Sequence, residues 1–157
     1  MADDNAGSGE LDEGTETAAL REALAAEHAA VWGYGVVGAA LDEQARGPAT
    51  AAETAHRDAR DQLTALLDER SADPVEAEGA YSLPFPVLSA VDAAALAVVL
   101  EDGVSAAWVR VLDQAAERSA RELAVGNLTA SEGRAVAWRA AAGQTPVTSA
   151  FPGLPEN

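Results

Sequence analysis

Residues 20–41 read LREALAAEHAAVWGYGVVGAAL, and this stretch decides the fold. Leu20, Leu24, Glu27, Val31, Tyr34, Gly38 and Leu41 recur at alternating steps of four and three, the spacing of one helix face and not of a strand. The Ala-rich remainder favours helix and no proline interrupts it. The pattern predicts a helix from about Glu16 to Asp42. Its apolar face carries a carboxylate, Glu27, at its middle. His28 falls one residue off the stripe, at a helix boundary or a subunit contact.

Three further segments share the helical period. After Gly47-Pro48 a second helix opens at Pro48 or Thr50 and runs to about Arg70, with Ala49, Glu53, His56, Ala59 or Arg60, Leu63 and Leu67 facing in. The next 20 residues, SADPVEAEGAYSLPFPVLSA, hold Pro74, Gly79, Pro84 and Pro86, which forbid helix through most of the segment. A third helix starts near Asp92, where S-A-V-D supplies capping oxygens. Its stripe is Ala94, Ala97, Glu101, Val104, Trp108, Val111 and Ala115. The fourth runs from near Glu117 to Ala142, with Ala120, Leu123, Asn127, Ala130, Arg134, Ala137 and Ala141 inward. Alternatively, Gly126-Asn127 breaks it and T-A-S-E at Thr129–Glu132 caps a shorter helix.

These elements predict an all-α, ferritin-like four-helix bundle with one long crossover between helices two and three. About 20 extended residues reach about 65 Å, enough to traverse helices about 35 Å long. An up-down bundle would not need such a connection. Residues 1–14 are expected to form a disordered acidic tail and 15–145 the bundle. Residues 146–157 are expected to be an extended tail packing on it, with Phe151 and Leu154 covering the open end.

Composition excludes several functions. Without cysteine there is no disulfide, thiolate metal site or cysteine nucleophile. The 26 acidic residues face ten basic ones, all Arg, for a net charge of -16. That field repels phosphate backbones and anionic membranes, so neither nucleic acid nor membrane is an expected partner. No apolar run approaches the ~20 residues of a membrane span, and no signal-peptide pattern opens the chain. Cytoplasmic location and a homodimer are the expectations. Trp32, Trp108 and Trp138 read as core or dimer packing. No Ser–His–acid spacing and no phosphate-binding glycine loop is present.

The inward stripes nevertheless carry Glu27, Glu53, His56, Glu101 and Arg134, and a buried carboxylate must pair, bind metal or take up a proton. Di-iron bundles draw a Glu from each of two helices and Glu-x-x-His from the other two. Glu53–His56 is one such motif, Glu27 and Glu101 are the lone carboxylates, and the fourth helix has no second Glu-x-x-His. Glu27, Glu53, His56 and Glu101 are therefore candidate ligands for iron or manganese. Each has a plainer reading as well. Glu53 completes a capping box with Thr50, and His56 hydrogen-bonds Tyr34 or Glu101. Glu101 pairs with Arg134, and Glu27 with Arg57 or Arg60. Taking the first turn as centred near residue 45 puts Tyr34, His56, Glu101 and Arg134 in one layer, with Glu27 about 10 Å away along the axis.

The stretches ALAAEHAAVWGYGVVGA, AHRDARDQL, YSLPFPV, the Glu101 region and the terminal AFPGLP together resemble an uncharacterised actinobacterial ferritin-like family, over roughly residues 18 to 155. The resemblance implies a ferritin-like four-helix fold and brings no activity with it.

Overall fold

A computed structural model describes the backbone of residues 6–154 and the side chains of residues 14–154. It comprises α1 (Ala6–Ala40), α2 (Arg46–Glu69), α3 (Ala90–Gln114) and α4 (Arg118–Ala141), and no strand occurs among the described residues. The fold is all-α with four helices, as the periodicity predicts.

The helix ends depart from expectation in informative ways. α1 begins at Ala6 and not near Glu16, so the expected disordered segment is helical from residue 6, while residues 1–5 lie outside the described residues. Once a helix is nucleated, each added residue gains a hydrogen bond, and extension is cheap. α2 begins at Arg46, ahead of Pro48, because a proline in the first turn removes an N–H that has no intrahelical partner anyway. Thr50 is therefore inside the helix, donating to Arg46 O at 3.3 Å, and does not cap it. The S-A-V-D cap is present: Ser89 Oγ accepts from Asp92 N at 3.1 Å, and Asp92 Oδ2 accepts from Ser89 Oγ and Leu88 N. α4 is continuous through Gly126-Asn127. A mid-helix glycine costs only about 1 kcal/mol, and Asn127 Nδ2 satisfies itself on Leu123 O at 3.0 Å.

Side-chain pairs fix the directions. Glu16 meets Ala116 N, Glu27 meets Trp108 and Tyr34 meets Glu101, so α1 and α3 are antiparallel. Glu27–His56 and Glu16–Arg70 make α1 and α2 antiparallel. α2 and α3 therefore run the same way, and the connection over residues 70–89 must return along the bundle. It does so beside α1: Arg21 Nε donates to Asp73 O at 2.8 Å, His28 Nε2 lies 3.1 Å from Val75 O, and Trp32 packs on Tyr81 at 5.7 Å between ring centroids. His28 is thus a crossover contact.

The core is two apolar clusters. One contains Leu20, Leu24, Leu63, Leu67, Trp108 and Val111. The other contains Tyr34, Val37, Leu41, Leu96 and Trp138. A buried polar layer separates them. The tail does not bury its large side chains, for Phe151 is 71% and Leu154 54% exposed. Its backbone packs instead. Leu154 N donates to Phe151 O at 3.1 Å, closing a turn with Pro152-Gly153 at the corner. Gly153 has φ +74° and lies so close to α3 that a Cβ would come 2.5 Å from Val109 Cγ2 and 2.7 Å from Ser105 O.

Candidate functional site

The polar layer draws on all four helices: Glu27 and Tyr34 from α1, His56 from α2, Glu101 from α3, and Ser131 and Arg134 from α4. His56 is its hub. Nδ1 lies 2.6 Å from Glu27 Oε2, and Nε2 lies 3.2 Å from Glu101 Oε1. A carboxylate oxygen only accepts, so both ring nitrogens donate and the ring is an imidazolium. Glu27 Oε1 takes a further bond from Trp108 Nε1 at 2.9 Å. Tyr34 stacks on the imidazole at 5.3 Å and donates its hydroxyl to Glu101 Oε1 at 2.5 Å, a short charge-assisted bond.

Glu101 is fully buried and receives the most donors. Arg134 grips it with Nε on Oε1 at 2.7 Å and Nη2 on Oε2 at 3.1 Å. Ser131 Oγ stands 2.7 Å from Oε2. Ser105 Oγ lies 3.2 Å from Ser131 Oγ and 2.6 Å from Glu132 Oε1, leading outward from the layer.

These contacts set the protonation states. Burial would raise the Glu101 pKa, but hydrogen bonds and charge from His56 and Arg134 outweigh it and bring the value to about 2. Burial likewise opposes a charged His56, yet its bonds to Glu101 and Glu27 raise its pKa on balance. Arg134 shifts up for the same reason, Glu101 outweighing burial. Burial first, then the Glu101 charge, pushes the Tyr34 phenol far up, so it keeps its proton and stays a donor. Two carboxyl groups thus face two cationic groups within one layer.

The expected layer of Tyr34, His56, Glu101 and Arg134 forms, and the Glu101–Arg134 pair is present. The distance assigned to Glu27 is corrected. The α1–α2 turn lies between Ala40 and Arg46, about two residues earlier than assumed, which moves the residue facing His56 by about four positions toward Glu27. The arginine expected on Glu27 is also corrected. Arg57 pairs with Glu53 at 2.6 Å on the α2 surface, and Arg60 pairs with Asp61 at 2.8 Å. Arg57, one residue on from His56, points off the buried face, while Arg60, at the edge of that face, turns to Asp61. Glu53 does not reach the layer. It lines a shallow hollow of about 290 Å³ that approaches Tyr34 from outside, between α1 and α2.

Sequence reading missed Ser131, Ser105 and the role of Trp108 as a donor. On α4 the buried stripe is Ala120, Ala124, Ser131, Ala135 and Trp138, one step away from the predicted face. Arg134 enters from the edge of that stripe, its long side chain only 24% exposed.

The donor set does not fit a ferritin-type di-metal centre. The carboxylates of Glu27 and Glu101 bind opposite edges of the imidazolium, whose two nitrogens carry protons and offer no lone pair. Glu53 is turned outward, and the Arg134 guanidinium holds Glu101 where a second cation would sit. Among the described residues no group of three His, Asp or Glu is arranged to hold an ion.

Comparison with known proteins places the chain without assigning an activity. No curated protein matches the sequence. The fold is similar to the crystal structure of a conserved hypothetical protein, rv2844, from Mycobacterium tuberculosis, with 36% identity and a TM-score of 0.79 over 81% of this chain and 96% of that one. Residues 19–156 match the family described as a domain of unknown function, DUF4439. With the match spanning almost all of the bundle and tail, the chain belongs to the DUF4439 family.

Proposed function

We propose that the chain is a ferritin-like helical scaffold acting as a homodimeric protein-interaction module, with the inner layer a fixed structural element and not a metal or catalytic centre. One observation carries this reading. Every carboxylate oxygen of the layer is already engaged, Glu27 by His56 and Trp108 and Glu101 by Tyr34, His56, Ser131 and Arg134. Among the described residues, the one buried side-chain oxygen without a hydrogen bond is Glu16 Oε1, one side of the layer near the α3–α4 junction, where it faces Arg70 Nη2 at 2.5 Å. A satisfied network of this kind favours one helix register and leaves no acceptor for a reacting group. The antiparallel hairpins joined by a long crossover support the ferritin-like assignment. The homodimer draws on Val91 and Val99, which are exposed on α3, with Leu88 exposed in the connection just before that helix.

The test is elemental analysis of protein expressed with supplementary iron and manganese and handled anaerobically. The expected metal content is well below one ion per chain and is the same in Glu27→Ala and His56→Ala. One ion per chain, lost in those variants, overturns the scaffold reading. Sedimentation velocity tests the dimer: Val91→Asp with Val99→Asp should give monomer, and an unchanged distribution refutes that surface.

A further inference from the structure

A pocket of about 770 Å³ lies apart from the polar layer, bounded by α3, α4 and the C-terminal segment. Its volume is in the range of small-molecule sites, about 300–1,000 Å³. The wall carries Asp102, Glu132 and Arg139, with Gln144, Thr148 and Ser149 supplied by the tail. Arg139 is nearly buried, at 8% exposure, and its nitrogens are committed. Nη2 bonds Asp102, and Nη1 donates to Val147 O at 3.3 Å, which ties the tail down over the pocket. That guanidinium is a poor receptor for an anion.

Glu132 differs. Its Oε2 stands 3.9 Å from Arg139 Nη1, too far for a hydrogen bond, and among the described residues its Oε1 accepts from Ser105 alone, at 2.6 Å. The carboxylate is held in place, because Ser105 contacts Ser131 and Ser131 bonds Glu101. One guanidinium between two carboxylates leaves the wall with an excess negative charge, in a chain whose net charge is -16. Such a cleft concentrates cations. The remaining polar lining is amide and hydroxyl, which suits a ligand with hydroxyl groups of its own.

We propose that this pocket binds a small hydroxylated organic ammonium ion, with the ammonium on Glu132 and the hydroxyls on Gln144, Thr148 and Ser149. The probe is 2-amino-1,3-propanediol hydrochloride, titrated into the full chain and followed by amide proton–nitrogen correlation spectra. Sodium and magnesium chloride at equal ionic strength, 1,3-propanediol and ethylammonium chloride serve as comparisons. The expected result is a saturable shift confined to residues 102–106, 132–139 and 144–149, with the diol and ethylammonium each at least about tenfold weaker. Glu132→Gln keeps an acceptor for Ser105 and should weaken binding by about tenfold or more. If that variant misfolds, Thr148→Val takes its place and should reduce the aminodiol to the affinity of ethylammonium. The proposal is overturned by the absence of saturation at about 10 mM, by equal shifts with either salt or either half-probe, or by full binding in the folded variant.

Discussion

Removing the Arg134 guanidinium asks how far the polar layer holds the bundle together. Arg134→Met keeps most of the stem's apolar contact and deletes two charge-assisted bonds to Glu101, at 2.7 and 3.1 Å. Breaking a buried ion pair by removing one partner costs about 3–5 kcal/mol. Two features lower that figure here. Arg134 is 24% exposed, so water enters the vacated space, and Glu101 keeps Tyr34, His56 and Ser131 as donors. The expected loss is therefore about 2–3 kcal/mol. With a urea slope of about 2 kcal/mol/M, the unfolding midpoint should fall by about 1–1.5 M, read by circular dichroism. Arg118→Met is the matched control, since its partner Glu122 lies on the surface and both are more than half exposed. It should cost less than about 0.5 kcal/mol. Adding Glu101→Gln to Arg134→Met should cost clearly less than the two single changes together, because the unpaired charge is then gone. Equal costs for Arg134→Met and Arg118→Met, or strict additivity in the double variant, would refute the ion-pair argument.

Stability should peak in mildly acidic solution. The His56 pKa is raised on folding, so its contribution is complete below its ordinary value of 6.5 and is lost as pH rises through the folded value. Glu101 is lowered to about 2, so its contribution is complete above 4.5 and is lost as pH falls toward 2. Both are whole between those limits, and urea midpoints should decline on either side; an upper limb equally steep in His56→Gln would show that histidine is not its source. Gly153→Ala should lift the terminal turn from α3, because a Cβ there meets Ser105 O at 2.7 Å in a left-handed backbone. Hydrogen exchange at the Leu154 amide, which bonds Phe151 O at 3.1 Å, should then quicken while the helical signal stays constant, and unchanged exchange would refute the docking of the turn.

What the sequence made legible follows the contrast in its side chains. On α1, α2 and α3, Leu, Val and Trp alternate with charged residues, so each buried stripe could be read, down to Glu101 and Trp108 on one face. α4 offers almost no contrast, since alanine occurs on every side of it, and a one-step error in phase hides Ser131 while still finding the long side chain of Arg134. The partner of Glu27 was lost for a different reason. Which residues face each other across a hairpin depends on where the turn is centred, and each residue of error there moves the opposing partner by two. About two residues of error exchanged His56 for an arginine as the group expected on Glu27. The stripe positions of the buried polar groups are thus local information. Their pairing is a property of axial register, and here the register comes from the layer itself, since an imidazolium between Glu27 and Glu101 locks three helices at one height.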